Sequence, residues 1–140
     1  MTMAYAGDLS PAQAYQLLVD EPDCALVDVR TRAEWSYVGV PDLSGLGRPV
    51  ICVEWVSFPD GARNPQFLQQ LAEAGVKPES PVAFLCRSGQ RSAAAAELAT
   101  ASGFARAYNV AEGFEGPLDG SGHRGSAGGW KAAGLPWRQS

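Results

Sequence analysis

Short apolar runs at residues 24–29, 49–55, 81–85 and 105–110 alternate with segments of helical period, and this alternation constrains the fold more than any other feature. Strands that each return through a helix pair in parallel, with right-handed crossovers that stack helices on both faces of the sheet. The fold class is therefore α/β. With 140 residues the chain is long enough to close one core without disulfides or metals, so residues 1–140 read as a single domain.

Local signals place the elements. Residues 3–6 read as a short edge strand, and residues 8–20 as an amphipathic helix with Ser10 as N-cap, Pro11 at the first position and Ala14, Leu17 and Leu18 on one face. A short helix is expected over 31–37, after the buried strand 24–29. The Pro- and Gly-rich stretch 41–48 reads as irregular, and 49–55 as a strand. Residues 65–75 carry Phe67, Leu68, Leu71 and Ala74 at helical spacing, with Gly75 as the stop. The alanine-rich segment 91–102 is a helix stopped by Gly103. Residues 113–129 read as a long loop, followed by a turn of helix at 130–133.

The segment Val82-Ala83-Phe84-Leu85-Cys86-Arg87-Ser88-Gly89-Gln90-Arg91-Ser92 carries the chemistry. It is an apolar strand that runs into a polar turn and then directly into a helix, with Cys86 at the junction. Ligands of parallel α/β sheets bind beyond the carboxyl ends of strands. The helix start aims unpaired N–H groups at the turn, and Arg87 and Arg91 add positive charge; both effects favour thiolate over thiol. Ser88 and Gly89 are small enough for the backbone to turn tightly around the sulfur.

The motif Cys86-Arg87-Ser88-Gly89-Gln90-Arg91-Ser92 resembles the active-site loop of single-domain rhodaneses. Leu26-Val27-Asp28-Val29-Arg30 followed by Glu34-Trp35 resembles the family's Asp-x-Arg and Glu-aromatic pattern. Asn109-Val110 with Gly129-Trp130-Lys131-Ala132-Ala133-Gly134-Leu135-Pro136 resembles its C-terminal signature. The resemblance implies a three-layer fold around a central, mostly parallel five-stranded sheet. It also implies a double displacement in which a cysteine takes a sulfane sulfur from a donor such as thiosulfate and passes it to a thiophilic acceptor, cyanide in the standard assay. Carried over, Cys86 is the nucleophile and persulfide carrier. The N–H groups of residues 87–91 stabilise the anionic sulfur, Arg87 and Arg91 help to hold the donor, and Ser92 completes the loop. No cofactor is required. The alternative is a persulfide carrier or interaction module that relays sulfur between partner proteins with little turnover on small molecules.

Loop spacing separates this chemistry from a related one. Cysteine phosphatases place five residues between Cys and Arg, whereas Cys86 and Arg91 enclose four, and no acid is evident to protonate a leaving alcohol. Three departures from the family pattern stand out. Tyr37-Val38-Gly39-Val40-Pro41 lacks the usual histidine, residues 117–128 form an insertion, and residues 54–64 form a long connection. Trp55, Phe58, Arg63, His123 and Arg124, on these two extended loops, are candidates for walls of the donor pocket.

Other residues have structural readings. Asp28, Arg30 and Glu34 brace the site: Arg30 and Glu34 are spaced to pair across one helical turn, and Asp28 is placed to bond the neighbouring loop. Cys24 and Cys52 lie in or beside apolar runs, where free cysteine packs as a small hydrophobe. His123 reads as a solvated side chain, and Trp35, Trp55, Trp130 and Trp137 as core or lid. The three cysteines form no metal-binding spacing, which fits a reducing compartment. A net charge of -4 gives no reason to expect nucleic acid or an anionic membrane as partner. Residues 1–11 lack the basic and apolar regions of a signal peptide, so a cytoplasmic location is the expectation.

Overall fold

The computed structural model describes residues 5–56, 61–117, 119–124 and 128–139. In chain order its elements are β1 (Gly7–Leu9), α1 (Pro11–Asp20), β2 (Ala25–Asp28), α2 (Arg32–Val38), β3 (Val40–Pro41), β4 (Ile51–Cys52), α3 (Phe67–Glu73), β5 (Val82–Leu85), α4 (Gln90–Ala101), β6 (Ala107–Val110), α5 (Gly129–Ala132) and β7 (Trp137–Arg138). Five strands form one sheet in the order β1-β6-β5-β2-β4, every pairing parallel.

Period-two alternation along β5 divides the core. Val82 and Phe84 turn to one face, where Phe67 and Leu71 of α3 and Ala95, Ala96 and Ala99 of α4 cover them. Ala83 and Leu85 turn to the other, against Ala14 and Leu18 of α1 and Trp130 of α5. All four β5 positions are buried, which is why this strand reads as an unbroken apolar run. Cys86 continues the phase of Val82 and Phe84 and belongs to the α3/α4 cluster.

Two helices begin as their sequences dictate. In α1 the Ser10 hydroxyl accepts from Gln13 N and the Gln13 side chain accepts from Ser10 N, with Pro11 in the first turn. In α2 Thr31 and Glu34 make the same reciprocal box. By contrast α4 starts at Gly89, which has no capping side chain.

Four expectations require correction. The edge strand lies at Gly7–Leu9, not at residues 5–6, while residues 3 and 4 of the expected strand lie outside the described residues, and the first helix begins at Pro11 instead of residue 8. Gly-Asp-Leu carries almost no strand signal of its own; pairing with β6 creates the strand. The stretch 41–48 is not wholly irregular, because Val40–Pro41 pairs antiparallel with Trp137–Arg138 and Ser44–Leu46 forms a 3-10 turn. That pairing joins segments too distant in sequence for local patterns to reveal. Cys52 is exposed, not packed, because β4 is an edge strand whose next residue, Val53, faces inward instead. Among the described residues no helix is long and apolar enough to cross a membrane.

Candidate active site

Cys86 follows directly on β5, and its sulfur does what the missing cap of α4 would do. Sγ accepts from Gly89 N at 3.1 Å and from Ser92 N, in the first turn of α4, at 3.4 Å; Ser92 Oγ lies 3.2 Å away. These N–H groups have no partner within the helix, so a sulfur carrying negative charge is well placed to receive them. The residue is only 2% exposed.

The turn is held from outside. Phe114 N donates to Cys86 O at 2.8 Å, and Glu115 N and Gly116 N donate to Arg87 O at 3.0 and 3.1 Å. Two glycines permit this approach. Gly89, at φ +107°, would drive a Cβ into the carbonyl of Ala111, and Gly113, at φ +68°, would drive one into the carbonyls of Cys86 and Arg87. The small residue foreseen at 89 is thus required by a strand-end neighbour as well as by the turn.

Arg91 is engaged. Its Nη1 and Nη2 donate to Glu34 Oε1 and Oε2 at 2.7 and 2.9 Å, a bidentate pair that ties α4 to α2. Burial raises the Glu34 carboxyl, but the Arg91 hydrogen bonds, the Thr31 N–H and the Arg91 charge outweigh it and hold the group at about 2. Arg91 is raised in turn, first by Glu34, and feels Cys86 and Asp28 electrostatically. Arg87 and Gln90 are exposed, and Ser88 is partly so.

The expected pairing of Arg30 with Glu34 does not form. Arg30 precedes the N-cap of α2, so helical spacing does not relate the two. Arg30 instead grips Asp28, with Nε 2.9 Å from Oδ1 and Nη2 2.7 Å from Oδ2, and donates to Gly39 O at 2.6 Å. Asp28 accordingly bonds both the side chain of Arg30 and, at 3.1 Å, the Arg30 backbone N–H in the connection that follows β2. Both side chains are fully buried, and the guanidinium lies 4.3 Å from the Phe114 ring. Phe114 N bonds Cys86 O, so this pair buttresses the turn through one intermediate residue.

Four of the five candidate wall residues lie among the described residues. Trp55 packs edge-on against Phe67 at 5.0 Å within the cluster that holds Cys86, and Arg63 stacks on Trp55 at 4.7 Å. Phe58 lies outside the described residues. His123 is exposed, and its N–H and carbonyl bond Asp119. Arg124 donates to Gly116 O at 2.7 Å, at the root of the insertion. That root is the same Gly116 that donates to Arg87 O, so the insertion is anchored on the turn. Cys52 opens onto a cavity of about 490 Å³ shared with Arg32, Trp35, Glu54 and Gln70.

A family model described as "STR4 middle domain" matches residues 6–140. The chloroplast "Rhodanese-like domain-containing protein 4" of Arabidopsis thaliana is 30% identical over 129 residues, covering 91% of this chain and 25% of that protein. The chain belongs to the rhodanese-like family. Among solved structures, this rhodanese-like chain is similar to Rv0390 from M. tuberculosis, with a TM-score of 0.89 and 57% identity, covering 97% of this chain and 99% of that one. It is also similar to the polysulfide-sulfur transferase homodimer of Wolinella succinogenes, with a TM-score of 0.64 and 29% identity, covering 99% of this chain and 82% of that one.

One participant escaped the sequence reading. Asn109 was visible only as part of a terminal signature, yet it is 4% exposed and accepts from Ser92 Oγ at 2.5 Å. A polar residue inside an apolar strand is the signal that could have marked it.

Proposed function

We propose that this rhodanese-like chain is a sulfurtransferase in which Cys86 carries the sulfur as a persulfide. The observation that carries this reading is the cradle of Gly89 N–H and Ser92 N–H on Sγ, at 3.1 and 3.4 Å, at the start of a helix. The sulfur-transferring relative from Wolinella succinogenes supports it.

Each half-reaction balances without an external oxidant. The Cys86 thiolate attacks the sulfane sulfur of thiosulfate; the S–S bond of the donor breaks, sulfite leaves with the electron pair, and a persulfide forms on Cys86. A thiophile such as cyanide then attacks the outer sulfur, the persulfide S–S bond breaks, and its electrons return to Cys86. Arg87, exposed on the turn, is the cation that meets the anionic donor. Arg91 acts through its bond to Glu34, by fixing the helix start around the sulfur.

Intact-protein mass spectrometry after thiosulfate treatment tests the proposal. Wild type is expected to gain one sulfur that a reductant removes, and to form thiocyanate when cyanide is added. Cys86→Ser is expected to do neither. Wild type that takes up no sulfur from thiosulfate or polysulfide would overturn the reading. Uptake of one sulfur without turnover would assign the chain to sulfur relay between proteins.

A further inference from the structure

We infer that Asp8, acting through Asn109, fixes the direction of the Ser92 hydroxyl and makes it an acceptor, not a donor, toward Cys86. Asp8 and Asn109 are then positioning residues for the sulfur.

The inference follows from counting protons along one chain of contacts. Strand pairing sets Asp8 of β1 opposite Asn109 of β6. Asn109 Nδ2 donates to Asp8 Oδ1 at 3.0 Å, and Tyr5 OH donates to the same oxygen at 2.7 Å. A carboxylate offers only lone pairs, so the amide must present its NH2 group to Asp8 and its oxygen to Ser92. Ser92 has one hydroxyl proton, and it goes to Asn109 Oδ1 at 2.5 Å. What remains for Cys86 Sγ, 3.2 Å away, is a lone pair of Ser92 Oγ.

Whenever Cys86 carries its proton, the S–H therefore points to Ser92 Oγ. When that proton leaves, the hydroxyl must either keep a lone pair against an anionic sulfur or turn toward it. Turning leaves Asn109 Oδ1 without a donor at a site only 4% exposed. The Asp8 relay thus opposes ionisation of Cys86, while Gly89 N–H, Ser92 N–H and Arg91 favour it. The other charged groups that bear on this corner are Arg87, next to Cys86 in the chain, Glu34 of α2, paired with Arg91, Asp28 of β2, paired with Arg30, and Glu97 of α4, which acts on Tyr5. Burial and the Asp8 carboxylate together push the Tyr5 phenol up, as an anionic neighbour at that point requires.

Asp8→Asn removes the obligatory acceptor. Asn109 can then turn its NH2 group to Ser92 Oγ and release the hydroxyl proton to the sulfur. The pH profile of Cys86 alkylation by iodoacetamide, measured in a Cys52→Ser background, should move to lower pH by about half a unit or more. Asp8→Ala should move it in the same direction.

Removing a negative charge alone would also shift the profile, so the decisive comparison is in a Ser92→Ala background. There the relay has no hydroxyl to turn, and Asp8→Asn should move the profile by clearly less, only by what loss of the carboxylate charge itself gives. An equal shift with and without the hydroxyl would overturn the inference, as would no shift in either Asp8 variant. The part of this relay in sulfur transfer rests on the function proposed above, but alkylation does not. Wild type that alkylates with the expected profile yet takes up no sulfur would defeat the function and leave the relay standing.

Discussion

Arg91 and Glu34, 57 residues apart in the chain, meet in a bidentate ion pair at 2.7 and 2.9 Å that joins the first turn of α4 to the first turn of α2. Glu34 also completes the capping box of its own helix through Thr31 N and Oγ1. One carboxylate therefore serves a local and a long-range structure at once. Its loss should disturb both the start of α2 and the geometry around Cys86.

The pair makes stability depend on acid. The folded Glu34 carboxyl sits at about 2, below its ordinary value of 4.5, so its contribution is fully present above that ordinary value and is lost as pH falls through about 2. Partial exposure of both side chains keeps the contribution to about 1–2 kcal/mol. Glu34→Gln should be less stable than wild type by this amount in urea unfolding near neutral pH. The gap should close toward about pH 2, where wild type carries a protonated Glu34 as well.

Glycine is required at 89 for reasons that do not hold at 103. Both have positive φ, but a Cβ at Gly103 meets open space, whereas one at Gly89 meets the Ala111 carbonyl. Gly103→Ala should cost only the backbone strain, about 1–2 kcal/mol. Gly89→Ala should cost more in unfolding experiments and displace the turn, so that sulfur uptake measured by mass falls sharply. Gly113→Ala, which collides with the same turn from outside, should behave like Gly89→Ala.

The ion pair of Asp28 and Arg30 is fully buried, so each residue alone is a liability. Asp28→Asn or Arg30→Met should destabilise the protein by about 3–5 kcal/mol, because each leaves an uncompensated buried charge. The double variant Asp28→Leu with Arg30→Met should recover much of that loss. A double-mutant cycle by chemical denaturation measures the coupling directly.

Cys24 should be silent toward alkylating reagents in the native state. It is 2% exposed, and burial pushes its thiol up to about 12, with the nearby Arg48 charge only partly offsetting that rise. Labelling at mildly alkaline pH followed by mass spectrometry should leave Cys24 unmodified until denaturant is added.

Much of this was written in local sequence. The cap of α1 was legible because Ser10, Pro11 and Gln13 act on neighbours within one turn. The position of Cys86 was legible because the run 82–85 is buried on both faces and gives way at once to a helix. What stayed hidden depended on partners distant in the chain. β1 exists because β6 pairs with it, and β3 because β7 does. Arg30 was assigned to Glu34 by spacing, but the helix begins after Arg30, and each found a different ion. The role of Asn109 was invisible for the same reason: its meaning lies in contacts to Ser92, 17 residues earlier, and Asp8, 101 residues earlier.

The depth of Cys86 limits what this protein can do under oxidising conditions. A disulfide needs the two Cα atoms within roughly 7 Å, and Cys86, only 2% exposed, is badly placed to meet the equally buried Cys86 of a second copy. Covalent dimers formed in air are therefore expected to run through the exposed Cys52 at the edge of the sheet, and the packing that hides Cys86 spares it from crosslinking to its own copy.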